Sequence, residues 1–205
     1  LYISKTRLPV IKGNARYDHF NTPDASYHGL VYSDVPLPIF TLRVRLALLR
    51  DLGGAPSPFN SWLHIQGLET LPLRMKQHSS SALAIAEFLD SHPKVKKVNY
   101  PGLKSSEQNP LVEKYFNQGM ASGLLSFEVE SKELAQSIAD ATELFAVVVN
   151  IGDSKSIITH PASTTHQQLS AQELEEAGVP GGLIRLSVGL EDTQDLIDDL
   201  SKALG

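Results

Sequence analysis

Cysteine is absent from the 205 residues, which excludes disulfides and thiolate metal centres and makes a cytoplasmic enzyme the ordinary expectation. Long apolar runs are absent too, since nothing in the sequence approaches the roughly 20 apolar residues that a membrane-spanning helix needs. Positive charge is scarce. With 18 Lys and Arg against 23 Asp and Glu the formal charge is -5, and no clustered basic patch of the kind that phosphate backbones require is present, so nucleic acid is not an expected partner. The adjacent pair Lys96-Lys97 reads as a solvated edge. Neither G-x-G-x-x-G nor G-x-x-x-x-G-K-[ST] occurs, so nucleotide binding gets no support, and there is no internal repeat or low-complexity tract. An initiator Met, a basic-then-apolar leader and an Asn-X-Ser/Thr acceptor are also missing. With Leu1 first, the chain is expected to be a piece of a longer protein.

What is present suits a packed α/β fold. Hydrophobic residues make up 41% and charged residues 20%, enough apolar surface for one or two compact units. Up to about residue 37 there is no sustained periodicity, and Gly13, Asn14, Pro23, Gly29 and Pro36 mark an extended connector. Pro38 opens a helix over about 39 to 52, with Phe40, Val44, Ala47 and Leu48 at helical spacing and Gly53 as C-cap. Ser57-Pro58 opens the next, whose stripe of Trp62, Ile65, Leu68 and Leu71 meets Pro72. The missing backbone donor predicts a kink there, and Met75, Ala82, Ile85, Ala86 and Leu89 carry the helix on to Pro93. Shorter periods follow. Val95 to Tyr100 reads as a strand and 110 to 117 as a helix, and Leu125, Phe127 and Val129 alternate with Ser126, Glu128 and Glu130 as in a half-buried strand. Ser131 caps a helix, 145 to 151 and 157 to 160 are strands, and Ser170-Ala171-Gln172-Glu173 is a capping box. The segment 183 to 190 is a strand, and Asp192 caps a last helix that turns Leu196, Ile197, Leu200 and Leu204 inward. This rhythm predicts an α/β sandwich with helices on one face of a mostly antiparallel sheet.

The chemistry concentrates in Asn150 to His166, N-I-G-D-S-K-S-I-I-T-H-P-A-S-T-T-H. An apolar run from Phe145 to Ile151 breaks at Gly152, so Asp153, Ser154, Lys155 and Ser156 gather at a strand end, where sheets present chemistry. The strand 183 to 190 is its expected partner. There Ile184, Leu186, Val188 and Leu190 alternate with Leu183, Arg185, Ser187 and Gly189, so Arg185 stands opposite the aliphatic face. A cation in that place needs an anionic partner, and for an arginine taken at random a structural Asp or Glu is the commoner one. His160 and His166 have no Cys or acidic group close in sequence and read as hydrogen-bonded histidines in the wall of a site rather than as zinc ligands. Ser156 with His160 lacks a nucleophile elbow and an oriented third member, which argues against hydrolase chemistry.

Four segments in order carry a resemblance: D-A-S-Y-H-G-L-V-Y (24 to 32), L-L-R-D-L-G-G-A-P-S-P-F-N-S-W-L-H-I-Q-G-L-E-T-L (48 to 71), N-I-G-D-S-K-S-I-I-T-H-P-A-S-T-T-H-Q-Q-L (150 to 169) and I-R-L-S-V-G-L-E-D (184 to 192). Together they resemble the C-terminal portion of the O-acetylhomoserine sulfhydrylases, within the pyridoxal-phosphate (PLP) enzymes of cysteine and methionine metabolism. The resemblance implies the C-terminal part of a fold-type-I PLP-dependent transferase. Residues 1–52 would be the end of the large PLP domain and a connector, 53–92 a long bent connecting helix, and 93–205 the small domain. An arginine matching Arg185 would hold the substrate α-carboxylate and a serine matching Ser156 would sit beside the cofactor-bearing lysine, with Asn150 counted among the substrate-binding residues.

The family's lysine motif, of H-S-x-T-K type, has no counterpart in the sequence. Lys5 lacks the preceding motif and the following glycines, so the lysine is expected upstream of residue 1, and PLP is expected to be held mainly by residues outside this chain. No catalytic residue, cofactor ligand or metal ligand is therefore assigned, and the chain alone is expected to be inactive. The implied reaction is a γ-replacement in methionine biosynthesis, in which acetate leaves O-acetylhomoserine and sulfide or a thiol takes its place to give homocysteine or an analogue. The implied partners are the amino-acid substrate, a missing N-terminal half and further copies in a dimer of dimers. The aromatic-rich segment from Tyr17 to Tyr32 is expected at a subunit contact. The loop N-I-G-D-S-K-S favours this reading over a cystathionine-handling enzyme, whose loop reads like S-L-G-G-x-E-S. The alternative from another class is a non-catalytic α/β module that binds an amino acid.

Overall fold

The computed structural model describes residues 8–205, so Lys5 lies outside the described residues. Chain contacts separate two units, one ending at Ile65 and the other Gln66–Gly205. In the first unit, α1 (Leu8–Ile11), α2 (Asp18–Asn21) and single turns at Ala15–Tyr17, Ala25–Tyr27 and Tyr32–Asp34 surround a small core of Ile11, Phe20, Tyr32 and Ile39. The expected extended connector is thus a series of folded turns. Side chains rather than periodicity hold them: the Asn21 amide donates to the carbonyls of Ile11 and Tyr17, and the Asp24 carboxylate accepts from the Ser26 amide and hydroxyl and from the Tyr32 hydroxyl. Such local bonds need no repeating pattern and escape a search for one. Burial, with the bond to Asp24 second, pushes the Tyr32 phenol up to about 12, while the Ser26 hydroxyl, then Tyr32, hold Asp24 below its usual range.

The helix expected over 39 to 52 is there but not uniform. It begins as α3 (Ile39–Arg43), widens to a π-helical stretch over Val44–Leu49, and ends as α4 (Arg50–Leu52) before Gly53 at φ 66. Apolar spacing marks the buried stripe without fixing which carbonyl each N–H chooses. Helix α5 (Pro58–Glu69) starts with the Ser57 hydroxyl accepting from the Asn60 amide at 3.1 Å. The predicted kink at Pro72 is instead a break at Thr70, and α6 (Leu71–Asp90) restarts with Pro72 in its first turn. That placement avoids the loss, because the first-turn N–H groups of a helix have no intrahelical partner anyway.

The second unit is built on a five-stranded sheet of β1 (Val95–Asn99), β2 (Leu124–Val129), β3 (Ala146–Val147), β4 (Ile157–Thr159) and β5 (Leu183–Ser187), in the order β1-β2-β5-β4-β3. Neighbours are antiparallel except β3 with β4, so the fold is α/β with a mostly antiparallel mixed sheet. Between and beyond the strands lie α7 (Asn109–Tyr115), α8 (Lys132–Ala141), α9 (Ala171–Glu176) and α10 (Thr193–Leu204). Helices α6 and α8 pack on the sheet, and α10 packs on both of them. Their Ile85, Leu89, Ile138, Leu196 and Leu200 meet Leu125, Phe127, Ile184 and Leu186, all almost closed to solvent. Each such side chain contributes about 1.5–3 kcal/mol by burial.

Capping follows the sequence: Ser131 accepts from the Leu134 amide, Ser170 and Glu173 form the reciprocal capping box, and Asp192 accepts from the amides of Gln194 and Asp195. The strand expected over 145 to 151 shrinks to two residues. Past Val147 the Thr159 hydroxyl donates to the Val148 carbonyl at 2.9 Å, where a continuing ladder would have used a backbone amide. Among the described residues no helix is long and apolar enough to cross a membrane, and no group of His, Asp and Glu is placed to hold a metal.

Candidate functional site

Alternation along the strands gives the sheet a second face that α6, α8 and α10 do not cover. Strand register aligns Asn99 with Ser126, Ser126 with Arg185, and Arg185 with Thr159, so a row of polar residues crosses β1, β2, β5 and β4. One position along, Val98, Phe127 and Ile184 form the matching row on the core side. Directly paired strand residues on one face hold their Cβ atoms about 4.5–5.5 Å apart, close enough to act on one ligand.

Arg185 is half-buried. Its guanidinium Nη2 donates to the Asn150 carbonyl at 3.5 Å, the outer limit of a hydrogen bond. The ion pairs among the described residues join Lys12 to Asp34, Arg50 to Asp51 and Lys96 to Glu130, so Arg185 has no carboxylate partner there. It lines a cavity of 540 Å³ together with Asn99, Gln108, Ser126, Thr165 and His166, and no Asp or Glu contributes to the lining. A partly desolvated cation beside neutral donors, with no acid in reach, is arranged to receive an anion from outside.

The other expected residues fall differently. Asn150 is exposed; its carbonyl meets Arg185, and its side chain turns back on its own loop, accepting from the Ile151 amide at 2.9 Å. Gly152, at φ 78, makes the sharp turn, and its amide donates to the Ser187 hydroxyl at 3.0 Å. Asp153 accepts from the Lys155 amide, the main cause holding its carboxyl below the usual range. Ser156 is fully enclosed: its hydroxyl donates to Glu191 at 2.8 Å and accepts from the Gly189 amide at 2.8 Å, and its own amide donates to Glu191 at 2.7 Å. The structure therefore brings Arg185 and Asn150 together, while Ser156 spends its hydrogen bonds on the protein.

His160 is buried, with Nδ1 against the Ser163 hydroxyl and Nε2 against the Gly181 carbonyl, both at 2.8 Å. It is a hydrogen-bonded histidine, as its sequence suggests, but the cavity wall is supplied by Pro161 and His166. Several site residues escaped the sequence reading, Gln108 of the cavity lining among them. Ser126 and Asn99 belong to the row only through strand register, and Glu191 matters only through its contact with Ser156, 35 positions earlier. The one signal for Glu191 was its place inside I-R-L-S-V-G-L-E-D.

Comparison with known proteins follows the same outline. A family model described as Cys/Met metabolism PLP-dependent enzyme matches residues 26–205. An O-acetyl-L-homoserine sulfhydrylase of Leptospira meyeri is 48% identical over 202 residues, covering 94% of this chain and 46% of that protein. One from Corynebacterium glutamicum is 44% identical over 189 residues, covering 92% of this chain and 43% of that protein. A crystal structure from Campylobacter jejuni, described as an O-acetylhomoserine (thiol)-lyase with N'-pyridoxyl-lysine-5'-monophosphate, matches with TM-score 0.86 and 53% identity, covering 98% of this chain and 48% of that one. The chain thus spans less than half the length of the relatives it matches.

Proposed function

This chain belongs to the PLP-dependent enzymes of cysteine and methionine metabolism, and from that premise we propose that it is the C-terminal part of a cytoplasmic O-acetylhomoserine sulfhydrylase. The whole enzyme would replace the acetate of O-acetylhomoserine by sulfide or a thiol, giving homocysteine or an analogue. The observation that carries this reading is Arg185, half-buried on a polar sheet face, without a carboxylate partner among the described residues, over a cavity with no acidic lining. The substrate α-carboxylate supplies the missing anion. A planar guanidinium donates to both carboxylate oxygens at once, which fixes the direction of the α-carbon as well as adding affinity. The Asn150 carbonyl accepts one guanidinium N–H and so limits rotation of the fork. Ser126, opposite Arg185 in register, adds a neutral donor beside it.

PLP, when bound, supplies the electron sink of such a reaction. The cavity lining offers a carboxylate site but no lysine amine, so these residues fit the amino-acid end of the reactants and not the cofactor's aldehyde, and the cofactor's ligands are assigned to the remainder of the enzyme. On the same reading residues 1–52 close the large domain, 53–92 connect, and 93–205 form the small domain of a homo-oligomer. The 205 residues alone are then inactive.

The test is an assay of the full-length enzyme with sulfide and O-acetylhomoserine, set beside O-succinylhomoserine and cystathionine. Homocysteine formed fastest from the acetyl ester supports the reading. Preference for cystathionine would move the enzyme to the neighbouring reaction, and no turnover of any of them, in protein carrying PLP, would leave only an amino-acid-binding role.

A further inference from the structure

The segment from Asn150 to Ser156 carries the carbonyl that meets Arg185, yet its first residues are exposed and belong to no strand. What holds it is the segment just after β5. Glu191 accepts the Ser156 amide at 2.7 Å and the Ser156 hydroxyl at 2.8 Å, the Gly189 amide donates to that hydroxyl at 2.8 Å, and the Leu190 amide donates to the Ser154 carbonyl at 2.8 Å. The approach at Gly189 is so close that a Cβ there would lie 2.5 Å from both the Ser154 carbonyl oxygen and the Ser156 amide nitrogen. Only glycine fits. At the other end of the turn the Gly152 amide is held by Ser187, two residues beyond Arg185 on the same strand. The loop is thus pinned to the strand that carries the arginine at Gly152 and to the residues that follow that strand at Ser154 and Ser156.

We propose that Glu191 is a positioning residue for the carboxylate site. Its carboxylate clamps Ser156 and so sets the register of the 150–156 loop against β5, which places the Asn150 carbonyl beside the Arg185 guanidinium. Ser156 acts through this clamp rather than as a substrate ligand, because its hydroxyl and amide are already bonded. The geometry of the clamp stands on the contacts above; its link to substrate rests on the sulfhydrylase reading.

The experiment compares full-length wild type, Glu191→Ala and Glu191→Gln. Three readouts are taken: hydrogen exchange of the peptide spanning 150–156, the calorimetric Kd for L-homoserine, which has the amino-acid head but no acetyl leaving group, and the KM for sulfide. Glu191→Ala should speed exchange in that peptide while the β5 amides keep wild-type protection, and should raise the homoserine Kd about tenfold, the scale of one hydrogen bond to a charged group. The sulfide KM should stay at its wild-type value. Glu191→Gln keeps an acceptor for the Ser156 amide and should recover part of both effects, which a general loss of structure would not allow. Wild-type exchange and wild-type homoserine affinity in Glu191→Ala would overturn the proposal. So would equal loosening of the whole small domain in both variants. If the wild-type enzyme binds and converts no homoserine derivative, the sulfhydrylase reading falls, and selective loosening of 150–156 still supports the clamp while unaltered exchange overturns it.

Discussion

On β2 and β5 neighbouring residues meet opposite surroundings. Leu125, Phe127, Ile184 and Leu186 are 2% exposed or less, while Ser126 and Arg185, one position away on each strand, stay half-buried over a cavity. The core face is closed by α6 and α8, with α10 packed on both. The polar face holds a cation with no acid to match it among the described residues. A face that is closed by its own helices contributes stability, and a face left electrostatically open is where function is to be sought.

Substitutions can separate the two faces. The largest effect is expected from Phe127→Ala, which removes a fully buried ring and should destabilise the enzyme by about 3–5 kcal/mol. Denaturant unfolding measures it, and a loss below ~1 kcal/mol would mean that the core face is less tightly filled than its burial indicates. Arg185→Ala should do the reverse. If Arg185 holds the substrate carboxylate as proposed, removing this desolvated charge partner should lower kcat/KM for O-acetylhomoserine by on the order of a hundredfold to a few thousandfold, while the PLP absorbance and the unfolding midpoint hold. Arg185→Lys should restore only part, because an ammonium cannot reproduce the fork. If Arg185→Ala instead unfolds the protein, the arginine is structural and the contrast between the faces collapses.

A smaller loss is expected at Ser126, the cross-strand partner of Arg185. Ser126→Ala removes one neutral donor and should raise the KM for O-acetylhomoserine by about fivefold, the worth of one ordinary hydrogen bond of about 1 kcal/mol. The kcat should change less than the KM, since on the proposed reading the donor would face the carboxylate and not the departing acetate. Steady-state kinetics on the variant decides this, and an unchanged KM would remove Ser126 from the site.

The core face was legible in the sequence because its information is local. Alternation at 125, 127 and 129 and at 184 and 186 named the buried side chains, and Ser131, Ser170 with Glu173, and Asp192 marked helix starts that are all present. Where the structure departs from expectation, the deciding contact is one that the local pattern does not encode. The break at Thr70 depends on which turn receives Pro72, the short β3 on a threonine hydroxyl eleven residues away, and the turns of the first unit on Asn21 and Asp24. The polar face was half legible. Parity put Arg185 on it, but Ser126 and Asn99 join that arginine only through register, and Glu191 reaches Ser156 across a chain reversal.

The smallest expected effect concerns what lies over the polar face. Gly178 and Val179 line the cavity and follow α9, whose Leu174 is 5% exposed and whose carbonyl accepts from the Val179 amide at 2.9 Å. The capping box fixes where α9 starts: Ser170 accepts from the Glu173 amide, and Glu173 accepts from the Ser170 amide and hydroxyl, both at 2.8 Å. Ser170→Ala removes the serine arm and should loosen this segment by about 1 kcal/mol, seen as faster hydrogen exchange from Leu174 to Val179 with the β2 and β5 amides unaffected. The same bonds, the Ser170 amide first, hold the Glu173 carboxyl below its ordinary value. A depressed folded-state value means that the contribution is fully present above the ordinary carboxylate range and is lost as pH falls through the folded value. Exchange in this segment should therefore quicken on acidification, beyond the general pH effect measured on β5, and the excess should shrink in Glu173→Gln. If the excess is absent in wild type, the cap does not govern the segment, and the cavity wall after α9 is held by Leu174 alone.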